Sequence, residues 1–337
     1  MIEPDFRGKR VTVTGGAGFI GSHLVDALVA RWAEVTVLDN LFSGTLENLA
    51  GVRDRIRFVE GDIRDLDACR AAIDGAAHVF HLAAIGSVPR SMKDPATTLD
   101  VNARGTANVF TACRDAAVRS VVFASSSSVY GDSEKLPKVE GEEGRPLSPY
   151  ALSKRMGEEL AELYWRVFGL PVVSLRFFNV YGPRQNPEGP YAAVIPKFLA
   201  AARDGRPLTI YGDGEQARDF TYVADVVGVI LAAASAPPAA YGQPLNSGRS
   251  SSTTVRVLAN SILHVSGSAS AVEHLPPRAG DIRHSSASAV LLEVVLGVVL
   301  ATELPEGLRR TWNALASPQP AEPPPAPPAL ASPVPRD

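Results

Sequence analysis

The stretch RVTVTGGAGFIGSHLVDALVA, residues 10–30, decides the fold of this chain. Residues 10–14 predict a short buried strand, and Ser22 to Ala30 carry apolar residues at helical spacing. Glycines between them permit a tight turn, let the backbone approach a pyrophosphate, and let the next helix direct its N-terminal N–H groups at the anion. The stretch therefore predicts a dinucleotide-binding β-turn-α unit. The residues of the turn and helix start expected to hold the cofactor are Gly15, Gly18, Phe19, Ile20 and Gly21.

An acidic residue follows near the distance at which such units hold a ribose. The second predicted strand, Glu34 to Leu38, ends at Asp39. A carboxylate there repels a 2′-phosphate, and no arginine follows directly in LDNLFSG, so the pattern favours NAD over NADP. Asp62 either reaches the adenine amino group or is an ordinary turn aspartate, and His81 is expected to be a packed histidine. The other residues expected along the cofactor are Asn40, Ile63, Leu82, Ala83 and Ala84.

The alternation of strands and helices continues along the chain. Further strands are predicted at Ile56 to Glu60, Ala77 to Leu82, Ser120 to Ser125 and Val172 to Phe177. This alternation predicts an α/β fold with a doubly wound parallel sheet of the Rossmann type. From Asn179 onward the pattern is irregular and rich in Gly and Pro, so a smaller C-terminal substrate-binding lobe is expected there.

These patterns imply three regions. Residues 1–178 are expected to form mainly the NAD-binding domain. Residues 179–316 are expected to form mainly the substrate lobe, with some return to the first domain. Residues 317–337 hold nine prolines with Ala and Ser between them, and this composition predicts a disordered tail.

Composition and charge exclude several classes of protein. The 337 residues can bury a large core, and the net charge of −3 without a basic stripe indicates no nucleic-acid partner. Cys69 and Cys113 lie far apart in sequence, so neither a zinc site nor a disulfide framework is predicted, and no metal is expected. The N-terminus lacks a basic-then-apolar leader, and the apolar segment Ala289 to Leu304 is shorter than the about 20 residues that span a bilayer. A cytoplasmic protein with no membrane partner is expected.

The motif SPYALSK indicates proton transfer. If Tyr150 opens a helix, Lys154 lies one turn along on the same face, with about 5–6 Å between the Cβ atoms. A cation at that distance favours the phenolate, which predicts Tyr150 as a general base. Four serines, Ser125 to Ser128, end the preceding strand. One of their hydroxyls is expected to hydrogen-bond a sugar hydroxyl opposite Tyr150 while hydride leaves carbon.

The motifs GGAGFIGS, LDN, HLAA, SSSSVYG, SPYALSK and LRFFNVYGPRQ occur together over residues 8–285. This combination resembles the nucleotide-sugar 4-epimerases of the extended short-chain dehydrogenase/reductase family. The resemblance implies NAD as cofactor, Ser126 as the catalytic serine, Tyr150 as the base, and Lys154 as the lysine that also holds the nicotinamide ribose. It also matches Asn102, in DVNARGT, to the family's asparagine near the active site.

The resemblance also implies a UDP-sugar substrate and a homodimer. Helices near Pro95 to Ala116 and Tyr150 to Phe168 match the pair that forms the family's four-helix dimer interface. The residues matched to the UDP moiety are Asn179, Arg218, Arg278 and Asp281. The remaining residues expected to contact substrate are Ser87, Arg90, Ser127, Arg184, Ala193, Val194, Tyr211 and Ser285.

The identity of the sugar stays open at this point. HLAAIGSVPRS and YAAVIPKF resemble bacterial epimerases of UDP-N-acetylglucosamine and UDP-N-acetylgalactosamine. Ser285 falls where relatives restricted to UDP-glucose and UDP-galactose carry a tyrosine, so room for a 2-acetamido group is expected. Arg90 and Arg184 would instead meet a C6 carboxylate, which keeps a UDP-glucuronic acid 4-epimerase or decarboxylase as an alternative.

Two further alternatives follow from the same motifs. The 4,6-dehydratases resemble T-D-E at the serine site, where this chain has Ser127 and Ser128, so dehydration is not expected. A dinucleotide-binding protein without turnover is the non-enzymatic alternative, and the intact Ser-Tyr-Lys set argues against it. The resemblance ends after Ser285, where SSASAVLLEVVLGVVLATEL lacks the aspartate and lysine of the usual helix start.

Overall fold

The computed structural model of the protein describes residues 5–188, 192–277 and 283–316. Its strands are β1 (Arg10–Thr14), β2 (Glu34–Asp39), β3 (Ile56–Glu60), β4 (His78–His81), β5 (Ser120–Ser126), β6 (Val172–Phe177), β7 (Val180–Tyr181), β8 (Leu208–Tyr211), β9 (Ala217–Arg218), β10 (Thr221–Tyr222), β11 (Pro244–Ser247), β12 (Thr253–Thr254) and β13 (Val272–Leu275). Its helices are α1 (Phe19–Ala30), α2 (Leu66–Ile73), α3 (Val88–Lys93), α4 (Pro95–Leu99), α5 (Gly105–Asp115), α6 (Pro149–Phe168), α7 (Val194–Arg203), α8 (Val223–Ala233), α9 (Val255–Ser266), α10 (Val290–Leu296) and α11 (Leu304–Ala316). Segments of 3-10 helix cover Leu46–Arg55, Ser127–Tyr130 and Pro238–Ala240, and a π-helical turn covers Asp100–Arg104.

The central sheet of the described chain has seven parallel strands in the order β11-β6-β5-β4-β1-β2-β3. Its strands are largely buried, because helices cover both faces. On one face Val11 packs with Leu24 of α1 and Ile230 of α8, and on the other Val121 packs with Ile73 of α2 and Phe110 of α5. The doubly wound parallel sheet predicted from the sequence is confirmed.

The direction of winding reverses between β1 and β4. From β1 the chain continues to β2 and β3 on one side, and then crosses to β4, β5 and β6 on the other. A crevice forms outside the carboxyl ends of the strands at such a reversal, and open α/β sheets bind their ligands there. The glycine turn follows β1 and the HLAA segment ends β4, so both sequence motifs lie at this position.

A separate apolar core lies beyond the sheet. It is built by α7, α9 and α11 around β8, with Phe198, Ile210, Leu258 and Leu308 buried at its centre. The two-stranded pairs β8–β13 and β9–β12 belong to this part of the chain.

The atypical segment after Ser285 packs onto the first core. Leu292 of α10 and Leu300 are buried there, and the Thr302 hydroxyl donates to Asp225 of α8 at 2.8 Å. Apolar side chains therefore hold α10 in place although the segment lacks the aspartate and lysine that the resemblance led us to expect. No helix among the described residues is long and apolar enough to cross a bilayer. The proline-rich residues 317–337 lie outside the described part of the chain.

Candidate active site

The glycine turn is shaped by contacts that admit no side chain. Gly15 has φ +73°, and a Cβ there would lie 2.6 Å from the Ala83 nitrogen. A Cβ on Gly21 would lie 2.1 Å from the Gly15 oxygen, so the turn and α1 pack backbone to backbone. Gly18 is the N-cap of α1, no side chain caps this end, and the first turn carries no acidic residue. The first N–H groups of α1 are therefore free of a competing anion.

Asp39 braces the turn from the neighbouring strand. Its Oδ2 accepts the Ala17 N–H at 2.9 Å and its Oδ1 accepts the Leu41 N–H at 2.8 Å. Burial raises the pKa of this carboxyl, and these two hydrogen bonds lower it in part. Each oxygen keeps a lone pair for a further donor such as a ribose hydroxyl.

Asp62 lies across from this carboxylate at the end of β3. It accepts hydrogen bonds from Asn40 at 2.9 Å and from Arg64 at 2.8 Å. The hydrogen bonds from Arg64 are the largest cause that lowers the pKa of Asp62 to about 2, so this side chain is a carboxylate at neutral pH. Ile63, which follows it, is buried and faces Gly105 of α5.

The end of β4 is held by buried polar contacts. His81 is fully buried between the hydroxyls of Thr14 at 2.7 Å and Thr106 at 2.9 Å, and burial lowers its pKa to about 3. Asn102 accepts the Ile85 N–H at 2.8 Å and donates to the Ile85 carbonyl at 3.1 Å. His81 is thus a packed, neutral histidine. Asn102 supports the loop that follows Leu82, Ala83 and Ala84.

The tyrosine and lysine lie on α6 as the sequence predicts. Ser148 caps this helix and Pro149 occupies its first turn, so Tyr150 and Lys154 lie one turn apart. Lys154 is buried, and its Nζ donates to the Ala124 carbonyl at 2.7 Å and lies 6.0 Å from the centre of the Tyr150 ring.

The pKa of Tyr150 differs from the sequence-based expectation. Burial raises it, and the hydrogen bond with Ser126 lowers it only in part. Burial also lowers the pKa of Lys154 to about 8. Burial of the Tyr150 ring therefore opposes the predicted phenolate, and the Lys154 Nζ donates to the Ala124 carbonyl. Ser126, at the end of β5, is the serine that meets Tyr150, while Ser127 begins the following 3-10 turn.

A cavity of about 450 Å³ lies among β7, β8, β9 and the start of α7, and its described lining does not include Ser126, Tyr150 or Lys154. Five of the residues expected to contact substrate line it, namely Asn179, Ala193, Val194, Tyr211 and Arg218. Asn179 follows β6, and Arg218 lies on β9. The helix start at α7 supplies the small Ala193 as its N-cap.

Other expected substrate residues have different surroundings. Ser87 caps α3 by accepting the Arg90 N–H at 3.2 Å, and the Arg90 guanidinium lies over the ring of Phe42. Arg184 pairs with Asp26 of α1 at 2.7 Å and lines a second cavity of about 1160 Å³. The Ser285 N–H donates to the Ala217 carbonyl at 3.1 Å. Arg278 and Asp281 lie outside the described residues.

Several residues of the cavity wall were missed by the sequence reasoning. Gln216 lines it and donates to the Tyr211 carbonyl at 2.8 Å. Gln216 could have been predicted from the sequence, because it stands two residues before Arg218 in the motif GEQARDF. Other polar or aromatic examples are Thr209, Phe220 and Gln185, and the first two lie in irregular sequence without a periodic pattern.

Comparison with known proteins identifies the family. The model of the NAD dependent epimerase/dehydratase family matches residues 11–248, more than half of the chain. The chain belongs to this family. NAD is its cofactor, as the glycine turn and Asp39 predict.

Individual relatives are similar over nearly the whole chain. A UDP-glucose 4-epimerase from Mycolicibacterium smegmatis is 40% identical over 306 residues, which cover 90% of this chain and 97% of that protein. A UDP-N-acetyl-alpha-D-glucosaminuronate decarboxylase from Bacillus cytotoxicus is 37% identical over 273 residues, covering 80% of this chain and 84% of that protein. The solved structure of a UDP-N-acetylglucosamine 4-epimerase from Methanobrevibacter ruminantium superimposes with a TM-score of 0.86 at 38% identity, covering 93% of this chain and 100% of that one.

Proposed function

We propose that the protein is an NAD-dependent UDP-hexose 4-epimerase that favours UDP-N-acetylglucosamine and UDP-N-acetylgalactosamine and also accepts UDP-glucose and UDP-galactose. The observation that carries this proposal is the position of Ser126, hydrogen-bonded to Tyr150 at the end of β5. In the sheet β5 lies between β4 and β6. The cofactor segment ends β4 and the cavity residue Asn179 follows β6, so the strand that carries Ser126 lies between these two segments, which supports a site where cofactor and sugar would meet.

The proposed chemistry uses the side chains already described. The N–H groups that follow Gly18 would hold the pyrophosphate of NAD, Asp39 would hold the adenosine ribose, and Lys154 would hold the nicotinamide ribose. Bound there, NAD would supply reversible hydride acceptance at C4 of the sugar, with no net oxidation. Tyr150 removes the 4-hydroxyl proton and gives a proton back, and Ser126 hydrogen-bonds the same oxygen.

Rotation of the 4-keto sugar requires firm anchoring of UDP and weak contact with the hexose. Arg218 supplies a cation for the diphosphate, while Ala193 and Val194 offer only small apolar surfaces on the cavity wall. Arg278 and Asp281 are further proposed UDP ligands, and the proposal for these two residues rests on the sequence alone.

The choice of sugar is supported by the relatives and by Ser285. Two of the relatives are named for sugars with a 2-acetamido group, and the M. smegmatis relative is named for UDP-glucose. Ser285, a small residue, leaves room for either substituent. A UDP-glucuronic acid 4-epimerase or decarboxylase is the second candidate, favoured by the decarboxylase relative. Against it, Arg184 is engaged with Asp26 rather than at the cavity that Arg218 lines.

A homodimer is part of the proposal. Four apolar side chains on α6 are exposed at one-turn and two-turn intervals along one stripe: Leu152, Met156, Leu163 and Val167. A stripe of this kind on a long helix suits packing against the same helix of a second copy. Light scattering at micromolar concentration is expected to give the dimer mass, and a monomer mass would refute this part.

The function is tested by incubating the purified protein with UDP-N-acetylglucosamine, UDP-glucose and UDP-glucuronic acid separately, without added NAD. Proton NMR of the anomeric signal is expected to show the 4-epimer of the first sugar forming fastest. Fastest conversion of UDP-glucuronic acid, or its loss of carbon dioxide, would favour the second candidate. No conversion of any sugar after NAD is supplied would overturn the proposal in favour of a binding protein without turnover.

A further inference from the structure

Helix α6 carries a third functional side chain in line with Tyr150 and Lys154. Glu158 follows Lys154 by four residues and therefore lies on the same face of the helix. Its side chain is only 9% exposed, although carboxylates are rarely buried unless they are paired. The pairing partner is Arg176 of β6, whose Nε donates to Oε1 at 2.9 Å and whose Nη2 donates to Oε2 at 2.7 Å.

The three side chains of α6 bind three consecutive residues of β5. Lys154 donates to the carbonyl of Ala124, the hydroxyl of Ser125 donates to Glu158, and Ser126 hydrogen-bonds Tyr150. Along β5, Glu158 contacts the middle residue of the three, Ser125. It therefore fixes both the position of β5 along the helix and the orientation of the serine that meets Tyr150.

Arg176 joins this contact to the rest of the sheet. It is 3% exposed and donates to the Tyr130 hydroxyl at 3.0 Å and to Glu143. Because a buried ion pair costs desolvation energy for both charges, packing alone would be served as well by apolar side chains. The pair therefore contributes something other than stability.

We propose that Glu158, held by Arg176, is a positioning residue of the epimerase site that fixes the end of β5 against α6 and places a negative charge beside Lys154. This inference rests on the proposed epimerase function. Glu158 touches neither the sugar nor the cofactor in the proposed chemistry, and it acts through Lys154 and Ser126.

The titratable and charged groups that face Lys154 come from several elements. Tyr150 and Glu158 belong to α6, the neutral His81 belongs to β4, and Arg176 of β6 lies behind Glu158. Burial lowers the pKa of Lys154 to about 8 and the Glu158 carboxylate raises it, so this carboxylate favours the ammonium form. Removing the carboxylate also takes away one of the two carboxylate partners of the Arg176 cation and leaves Glu143 as the other. Both changes lower the pKa of Lys154 further.

The test compares kcat against pH for Glu158→Gln and for the wild-type protein with the best of the three sugars. The alkaline limb of the profile reports loss of the Lys154 proton, so it is expected to move to lower pH by about one unit in Glu158→Gln. Glu159→Gln is the matched control, since this neighbour is exposed and pairs only with Arg155 among the described residues. An unmoved alkaline limb in Glu158→Gln would overturn the inference.

Two additions keep the test decisive. If Glu158→Gln fails to fold because Arg176 loses one of its two carboxylate partners, the double variant Glu158→Gln with Arg176→Met removes both charges, and a shift of the alkaline limb in the same direction is expected. If the wild-type protein turns over none of the sugars, the proposed function has failed. The pKa of Lys154, read from the pH dependence of its Cε carbon-13 NMR signal in protein labelled with carbon-13 lysine, then tests Glu158 alone: a pKa that falls in Glu158→Gln supports the inference, and an unchanged one refutes it.

Discussion

The guanidinium carbon of Arg90 lies 5.1 Å from the ring centre of Phe42. Arg90 belongs to α3, which follows β4, and Phe42 belongs to the loop that follows β2. Because β1 lies between β2 and β4 in the sheet, this contact passes in front of the carboxyl end of β1, where the glycine turn begins. Phe42 is 59% exposed even with Arg90 in place, so few other contacts hold its side chain.

We therefore expect Phe42→Ala to weaken retention of NAD. A cation–π contact at an exposed site contributes about 0.5–1 kcal/mol, so the cofactor should dissociate about two to five times faster. The measurement is the NAD content of the purified protein after repeated gel filtration, read by chromatography of the released nucleotide. Val257→Ala, which truncates an exposed side chain on α9, serves as control. Equal NAD loss in both variants would contradict a role of the Arg90–Phe42 contact in retaining the cofactor.

Replacement of Tyr150 by Phe is expected to lower kcat by about 10²–10⁴-fold, the usual contribution of a general acid or base. NAD content should be retained, since only one hydroxyl is removed. Tyr164→Phe offers a matched change on the same helix, where the hydroxyl meets Thr111 at 2.8 Å. Anomeric proton NMR gives the rates. Comparable rates in Tyr150→Phe and wild type would exclude this tyrosine as the base.

The sequence predicts the sheet well because its signals are local. Five consecutive residues specify β1, and the strand pattern locates five further strands to within one residue. The strand β11, PLNS, was not identified, since it carries a single strongly apolar residue and its place beside β6 depends on contacts distant in sequence. Tertiary contacts likewise determine which strands become neighbours.

In the candidate site, too, the sequence predicted the residues with local signals and missed those that depend on tertiary contacts. Motif spacing found Tyr150 and Lys154, because both lie on one helix. It did not find Arg176, whose role exists only because β6 lies next to β5. It also predicted the wrong direction for the pKa of Tyr150, since the extent of burial is a property of the folded chain.

Two helix-interior glycines provide a test of the close packing at the turn. Gly21→Ala inserts a methyl group against the Gly15 carbonyl, and overpacking of this kind costs about 1–3 kcal/mol. Gly228→Ala, in α8, meets nothing within 4 Å and is expected to stabilise the protein by up to about 1 kcal/mol. Thermal unfolding should lower the Tm of the first variant and raise or preserve that of the second. A lower Tm for Gly228→Ala than for Gly21→Ala would show that the close contact with the Gly15 backbone is not the reason for glycine at position 21.

His81 should make the protein sensitive to acid. Its pKa is lowered to about 3 by burial, whereas an unfolded chain binds a proton at histidine near pH 6.5. Between these values the unfolded state holds more protons, so the free energy of unfolding falls as pH falls, by up to roughly 1.4 kcal/mol per pH unit. His81→Asn removes this titration, and the difference in Tm between pH 7 and pH 5 should become smaller than in wild type. His264→Asn, which changes an exposed histidine of α9, should leave that difference unchanged. An identical pH dependence in His81→Asn and wild type would mean that another group controls the acid response.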